Sequence, residues 1–210
     1  MFKQAPTPVA GQVACGGRFG FAYHGVAQRF SRGEPENLRV GSNGKFGRCA
    51  AALTPYDAEI GVVGNSPSAP DLVEIPMGDA PIVAIMAQGF LPETVQELAF
   101  KQLVKWPLVF REKGSSTRRC IEAEAQACGL RLRPVIEVDG REALREVVAS
   151  GAGIGFVSRA ELGNASDIRA VAISGVTLRM KESLVFLSIR RDQPMVRAFS
   201  HYITPRWQAQ

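Results

Sequence analysis

"PLVFREKGSSTRRCIEAEAQACGLRLRPVIEVDGREALREVVASGAGIGFVSRAEL", residues 107–162, contains two strand-to-helix passages in succession. Leu108–Phe110 is an apolar run ending at Gly114-Ser115-Ser116-Thr117; an Ala/Glu-rich helical stretch over 116–128 follows, stopped by Gly129. Pro134–Val138 is a second run, ending at Asp139-Gly140. Beyond it Leu144, Val147 and Val148 form one apolar stripe on a helix over 141–150, which Gly151 terminates. A third strand, Ile154–Val157, comes next. This order of strand, glycine turn and helix is the βαβ alternation of an open sheet.

Outward from this block the alternation continues. Strands are predicted at 12–15, 38–41, 59–63, 72–75, 82–87 and 184–189, and helices at 21–31, 45–53, 94–104 and 194–206. Thr94 and Glu97 form a capping box for the helix over 94–104. The expected class is α/β with a largely parallel sheet. Its regularity breaks over 64–81, a Pro/Ser/Gly-rich passage that leads into the very apolar PIVAIMA; a second isolated apolar strand, LVFLSI, begins at Leu184. Two such strands flanking a block of roughly 100 residues read as paired crossovers between two lobes. Residues 1–10 are then a tail, 11–84 with 190–210 the first lobe and 85–189 the second, with a cleft between them.

Composition excludes several classes. Among 210 residues, 46% are hydrophobic and 21% charged, as in ordinary globular domains. A formal charge of +5 is mild, and the scattered Lys and Arg suit a solvated surface better than a nucleic-acid groove. The first fifteen residues lack the apolar core of a secretory signal, and no stretch approaches the ~20 apolar residues of a membrane span. No membrane partner and a cytoplasmic location are therefore expected. Cys15, Cys49, Cys120 and Cys128 lie outside any CxxC pattern, and only His24 and His201 could join them, so neither a disulfide framework nor a metal site is expected.

Ligands of open α/β sheets bind beyond the carboxyl ends of strands, where helix N-termini point. Four junctions of that kind occur: Arg18-Phe19-Gly20-Phe21, Ser42-Asn43-Gly44-Lys45, Gly114-Ser115-Ser116-Thr117 and Val138-Asp139-Gly140-Arg141. Each joins a glycine, which allows close backbone approach, to polar, basic or aromatic neighbours, making it a candidate anion site. The ligand-binding residues expected are Arg18, Phe19, Phe21, Ser42, Asn43, Gly114, Ser115, Ser116, Thr117, Asp139 and Gly140. Each has a plainer reading. Ser116 or Thr117 alone is more often a helix cap than a ligand contact, Asp139 could cap the helix over 141–150, and Arg18 and Lys45 could be solvated charge. Glu112 could meet a ligand cation or pair with Lys113 or Arg118. Neither a nucleophile elbow nor a phosphate-binding GK[ST] loop is present, and nothing assembles a nucleophile, base and oxyanion hole. No catalytic residue, enzyme activity or cofactor is expected.

Residues 107–162 closely resemble the effector-binding domain of LysR-type transcriptional regulators. The matching elements are Phe110-Arg111, Gly114–Thr117, Arg118, the helix 119–128, the strand 134–138, the helix 141–150 and Gly151–Phe156. Gly11–Gly16 is similar to that family's entry strand, and Tyr56–Gly61 to a later one. The resemblance implies two Rossmann-like lobes joined by two hinge strands, of the class II periplasmic-binding-protein type, with a small-molecule effector between them. It implies a homodimer or homotetramer, the helix over 21–31 and the strand 38–41 of one copy meeting the helix over 116–128 of another. DNA would be bound only through an N-terminal winged helix-turn-helix and linker helix that this chain does not include. Phe19 and Phe21 depart from the small or hydroxyl residues usual there. The effector expected is a small anion, a carboxylate, phosphonate or sulfonate. The alternatives are a solute-binding protein of a transport system, argued against by the missing export signal, and an enzyme on the same fold, argued against by the missing catalytic groups.

Overall fold

Ile82–Ala87 is buried at every position, as a strand covered on both faces must be. Ile82, Ala84 and Met86 join one apolar cluster with Phe110, Ile121, Ala125 and Phe156. Val83 and Ile85 join another with Val109, Leu144, Val148 and Val157. The period-two alternation of a strand therefore sends successive side chains into two layers, one on either side of a sheet.

The computed structural model describes residues 11–15, 38–42, 53, 59–65, 69–163 and 166–207. Its strands are β1 (Gly11–Cys15), β2 (Leu38–Ser42), β3 (Ile60–Gly64), β4 (Leu72–Ala87), β5 (Glu97–Ala99), β6 (Leu108–Arg111), β7 (Pro134–Val138), β8 (Gly155–Ser158), β9 (Ile168–Ser174) and β10 (Arg179–Leu187). Its described helices are α1 (Ser116–Ala127), α2 (Arg141–Ala149) and α3 (Pro194–Trp207). The chain divides into Met1–Gly78 with Glu182–Gln210, and Asp79–Lys181. Only β4 and β10 pass from one unit to the other. The sequence expectation put the crossings at 84/85 and 189/190; here they fall at 78/79 and 181/182. Apolar composition marks a crossing strand but not the point along it where its neighbours change.

In the first unit β1 runs parallel to both β2 and β3, and β10 joins β3 antiparallel. Leu53, Val63 and Val185 pack together, with Leu72 and Leu187 against them. Met195, Val196 and Phe199 of α3 are buried, a spacing that places them on one helix face. The helices expected over 21–31 and 45–53 lie outside the described residues, apart from Leu53, which is helical and buried.

In the second unit β6 runs parallel to β7, and a parallel bridge, Leu108 to Ile154, ties it to the chain entering β8. The bridge holds through Val109 N–H to the Ile154 oxygen and Ile154 N–H to the Pro107 oxygen, both 2.9 Å. Gly153 permits this approach, for a Cβ there would stand 2.4 Å from the Pro107 oxygen. Ile121 and Ala125 of α1 cover one face of the sheet, Leu144 and Val148 of α2 the other. Burying one such leucine or isoleucine is worth about 1.5–3 kcal/mol.

Three expectations need correction. The sheet is mixed, not largely parallel: β4 is antiparallel to β8 and to β9. A crossover strand does not arrive through a βαβ turn, so nothing obliges it to run with β6, β7 and β8. The strands expected at 72–75 and 82–87 are one, continuous through Pro76 and Pro81. The helix expected over 94–104 is instead β5 followed by a 3-10 turn, Phe100–Lys105. There β9 claims 97–99 as a parallel partner, and Arg169 donates to the carbonyls of Leu91 (3.2 Å) and Val95 (3.0 Å), holding the preceding segment out of a helix.

Candidate functional site

At the carboxyl end of β6 the chain turns through Glu112-Lys113-Gly114, closed by Ser115 N–H to the Glu112 oxygen at 3.2 Å. Gly114 adopts φ 93°, which favours glycine. Ser115 is the N-cap of α1, its hydroxyl accepting from Arg118 N–H at 3.5 Å, and it is fully buried. Of the residues expected to bind, Ser115 therefore fills the plainer role of cap. Ser116 begins the helix and accepts from Arg119 Nη2 at 3.2 Å. Thr117 is buried and lines a small recess with Val109, Phe110, Arg111, Arg118, Ile121 and Phe156.

The second turn is built differently. Gly140, at φ 88°, is itself the N-cap of α2, with no side chain to close the helix. Its N–H donates to Glu112 Oε2 at 3.0 Å. The parallel register of β6 and β7, Arg111 opposite Val138, brings the two turns together. Asp139 is exposed and is not the capping residue. Glu112 also takes Arg111 Nη2 at 3.1 Å. Burial alone would raise its pKa, but the Gly140 N–H and the Arg111 charge outweigh burial and hold it below the ordinary carboxylate value. Glu112 thus pairs with neither Lys113 nor Arg118; its partners are Arg111 and a backbone amide 28 residues away.

Arg118 points inward. Its guanidinium donates to Glu122 Oε1 and Glu137 Oε2, both 2.7 Å, and to the Arg111 carbonyl oxygen, also 2.7 Å, while lying 5.6 Å from the Phe110 ring centroid. Burial works against its charge, but the two carboxylates more than restore it. On the α2 side Arg141 pairs with Glu161 at 3.2 Å. Burial pushes the Glu161 carboxyl above its ordinary value, and the charges of Arg141 and Arg111 recover only part of that. The second unit therefore brings Gly114, Ser115, Ser116, Thr117, Asp139 and Gly140 to one edge of its sheet, where Arg111, Arg118 and Arg141 are matched to carboxylates.

In the first unit Ser42 ends β2, level with Cys15 at the end of β1. Arg18, Phe19, Phe21 and Asn43 lie outside the described residues. Among the described residues no three His, Cys, Asp or Glu side chains gather as metal ligands would, and no helix is long and apolar enough to cross a membrane. Sequence reading missed the part Glu112 plays in closing α2, and Ser158, whose buried hydroxyl belongs to no motif. A capping partner 28 residues distant leaves no local signal.

Residues 37–208 match the model of the LysR substrate binding domain. The chain belongs to that family. Its relatives include the RuBisCO operon transcriptional regulator of Acidithiobacillus ferrooxidans, 27% identical over 146 residues that make up 68% of this chain and 47% of that protein. The chain spans about half the length of the regulators it matches. Among solved structures, the effector binding domain of QuiR in complex with shikimate superposes with a TM-score of 0.83 at 13% identity, over 97% of this chain and 99% of that one. The Synechocystis PCC6803 CcmR regulatory domain in complex with 2-PG gives 0.81 at 17% identity, over 96% and 98%. These likenesses establish the fold: two α/β units of the periplasmic-binding-protein type, joined by two strands.

Proposed function

We propose that this chain is the effector-sensing domain of a LysR-type DNA-binding transcriptional regulator. The match over residues 37–208 carries the reading, and the regulator among its relatives supports it. The effector is a small organic anion, and the residues proposed to hold it are Ser42, Asn43, Ser116 and Thr117. Shikimate and 2-PG, named with the QuiR and CcmR domains, are consistent with a small oxygen-rich ligand. The domain performs no catalysis, works in the cytoplasm, pairs with further copies of itself and reaches DNA through a helix-turn-helix N-terminal to it.

Sensing requires that the ligand favour one arrangement of the protein over another, since equal affinity shifts nothing. Contacts that the ligand makes in one arrangement and loses in the other supply that difference. Loss of two charge-assisted hydrogen bonds would cost about 3–6 kcal/mol, enough to move an equilibrium from mostly open to mostly closed. The test is a thermal-shift screen of small carboxylates, phosphonates and sulfonates, then calorimetric titration of any acid that raises the melting temperature. Ser116→Ala and Asn43→Ala should each weaken binding about tenfold while leaving unliganded melting unchanged. Variants that bind like the parent would remove Ser116 and Asn43 from the site.

A further inference from the structure

Ser158 ends β8 with no exposed surface, and its hydroxyl is buried without a hydrogen-bond partner. Such groups are uncommon in folded proteins, because an unpaired buried hydroxyl forfeits its hydration for nothing. The strand fixes where it points. Phe156 lies in the layer under α1 and Val157 in the layer under α2, so Ser158 faces α1. Its register partner, Ile82, lies in that same layer. Phe156, two residues back, shares its recess with Thr117 and Arg118 of the first turn of α1. Ser158 and the N-terminus of a 12-residue helix thus lie on the same face of the sheet, toward the carboxyl ends of the parallel strands β6 and β8. Arg118 is occupied by Glu122, Glu137 and the Arg111 carbonyl. This face therefore offers neutral, directional groups: the backbone N–H groups at the start of a helix, of which the Ser115 hydroxyl already takes that of Arg118, and a hydroxyl that both donates and accepts.

We propose that Ser158 and the first turn of α1 form a subsite for a small organic acid with a hydroxyl beside its carboxylate, the carboxylate on the helix N–H groups and the hydroxyl on Ser158. The proposal rests on the sensing function above and narrows its ligand class. A helix N-terminus accepts any small anion. A ligand hydroxyl can both give and receive a hydrogen bond at Ser158 Oγ, whereas an acid without one leaves that oxygen unpaired, and specificity follows from the difference.

Glycolate and acetate differ by that single hydroxyl. Each is titrated into the isotope-labelled chain while the amide resonances of residues 115–118 and 158 are followed, in the parent and in Ser158→Ala. Glycolate should bind the parent about three- to tenfold more tightly than acetate, and Ser158→Ala should erase the preference while leaving acetate unchanged. Melting without ligand gives a second sign. Ser158→Ala should melt at or above the parent's temperature, as removal of an unpaired hydroxyl predicts, whereas a serine bonded within the fold would lower it. Equal affinity of the parent for the two acids, a preference that survives in Ser158→Ala, or a clear drop in melting temperature overturns the proposal. If acetate or inorganic phosphate still moves the amides of 115–118, only the part given to Ser158 falls. If neither those probes nor glycolate moves them, the sensing role of this turn falls as well.

Discussion

The two strand-to-helix turns of the second unit look alike in sequence and close their helices by different means. At 112–117 the helix carries its own cap: Ser115 sits at the N-cap position and reaches Arg118 N–H. At 138–141 the N-cap is Gly140, and its amide is taken by Glu112 from the other turn. One closure is local and the other crosses between neighbouring strands. The second turn thus takes its closing acceptor from the first, while the first supplies its own, and substitutions can test that asymmetry.

The largest effect should come from below both turns. Gly153→Ala would drive a Cβ into the Pro107 carbonyl, where backbone, not a flexible side chain, must yield. The bridge that seats β6 against the chain entering β8 would open, and with it the strand from which both turns hang. A loss of about 3 kcal/mol is expected, read as a lower urea midpoint. A midpoint equal to the parent's would mean that β6 is held by its neighbours and not by this close approach.

Glu112→Ala comes next. It strips the Gly140 amide of its acceptor and leaves Arg111 without its carboxylate, for a loss of about 2 kcal/mol. Hydrogen exchange should quicken at the start of α2 while α1 keeps its protection. Ser115→Ala should cost about 1 kcal/mol, as the removal of a serine cap does, and should loosen α1 alone. If Glu112→Ala loosens α1 as much as α2, the asymmetry is wrong.

The same contrast explains what the sequence made legible. Ser115 ahead of an Ala/Glu-rich run, and glycine after it at 129, are signals that act within a few residues, and α1 was located from them within one residue of its observed end. The strand at 82–87 is legible for the same reason, from its own apolar run, whereas its continuity with 72–75 is not. Thr94 and Glu97 offered an equally good local signal and it misled, because a neighbouring strand and the guanidinium of Arg169, more than seventy residues on, compete for the same backbone. Glu112 with Gly140, and Arg118 with Glu137, belong to this second kind. Residue types announce that such groups need partners but not which ones they find. The Ser158 hydroxyl is the extreme case: its strand was expected, and its lack of a partner appears only once the layers on either side are in place.

The smallest effect concerns two carboxylates at the same edge of the sheet that shift in opposite directions. Glu112 is held below the ordinary value of 4.5, because the Gly140 amide and Arg111 outweigh its burial. The unfolded chain then takes up this proton before the folded one does. Its contribution to stability is present above pH 4.5 and lost as pH falls through the lower native value. Glu161 is raised above 4.5 because burial outweighs Arg141 and Arg111. The folded chain keeps this proton after the unfolded chain has released it. That contribution is complete below 4.5 and disappears as pH rises through the raised value. The two slopes therefore occupy different windows, one below 4.5 and one above it. Glu112→Gln should flatten the acid side of a plot of urea midpoint against pH. Glu161→Gln should instead flatten the stretch above 4.5, so that this variant loses less stability toward neutrality than the parent even though Arg141 has lost its partner. Superimposable profiles for the parent and Glu161→Gln would mean that Arg141 offsets the burial of Glu161 in full, and that the two carboxylates at this edge behave alike.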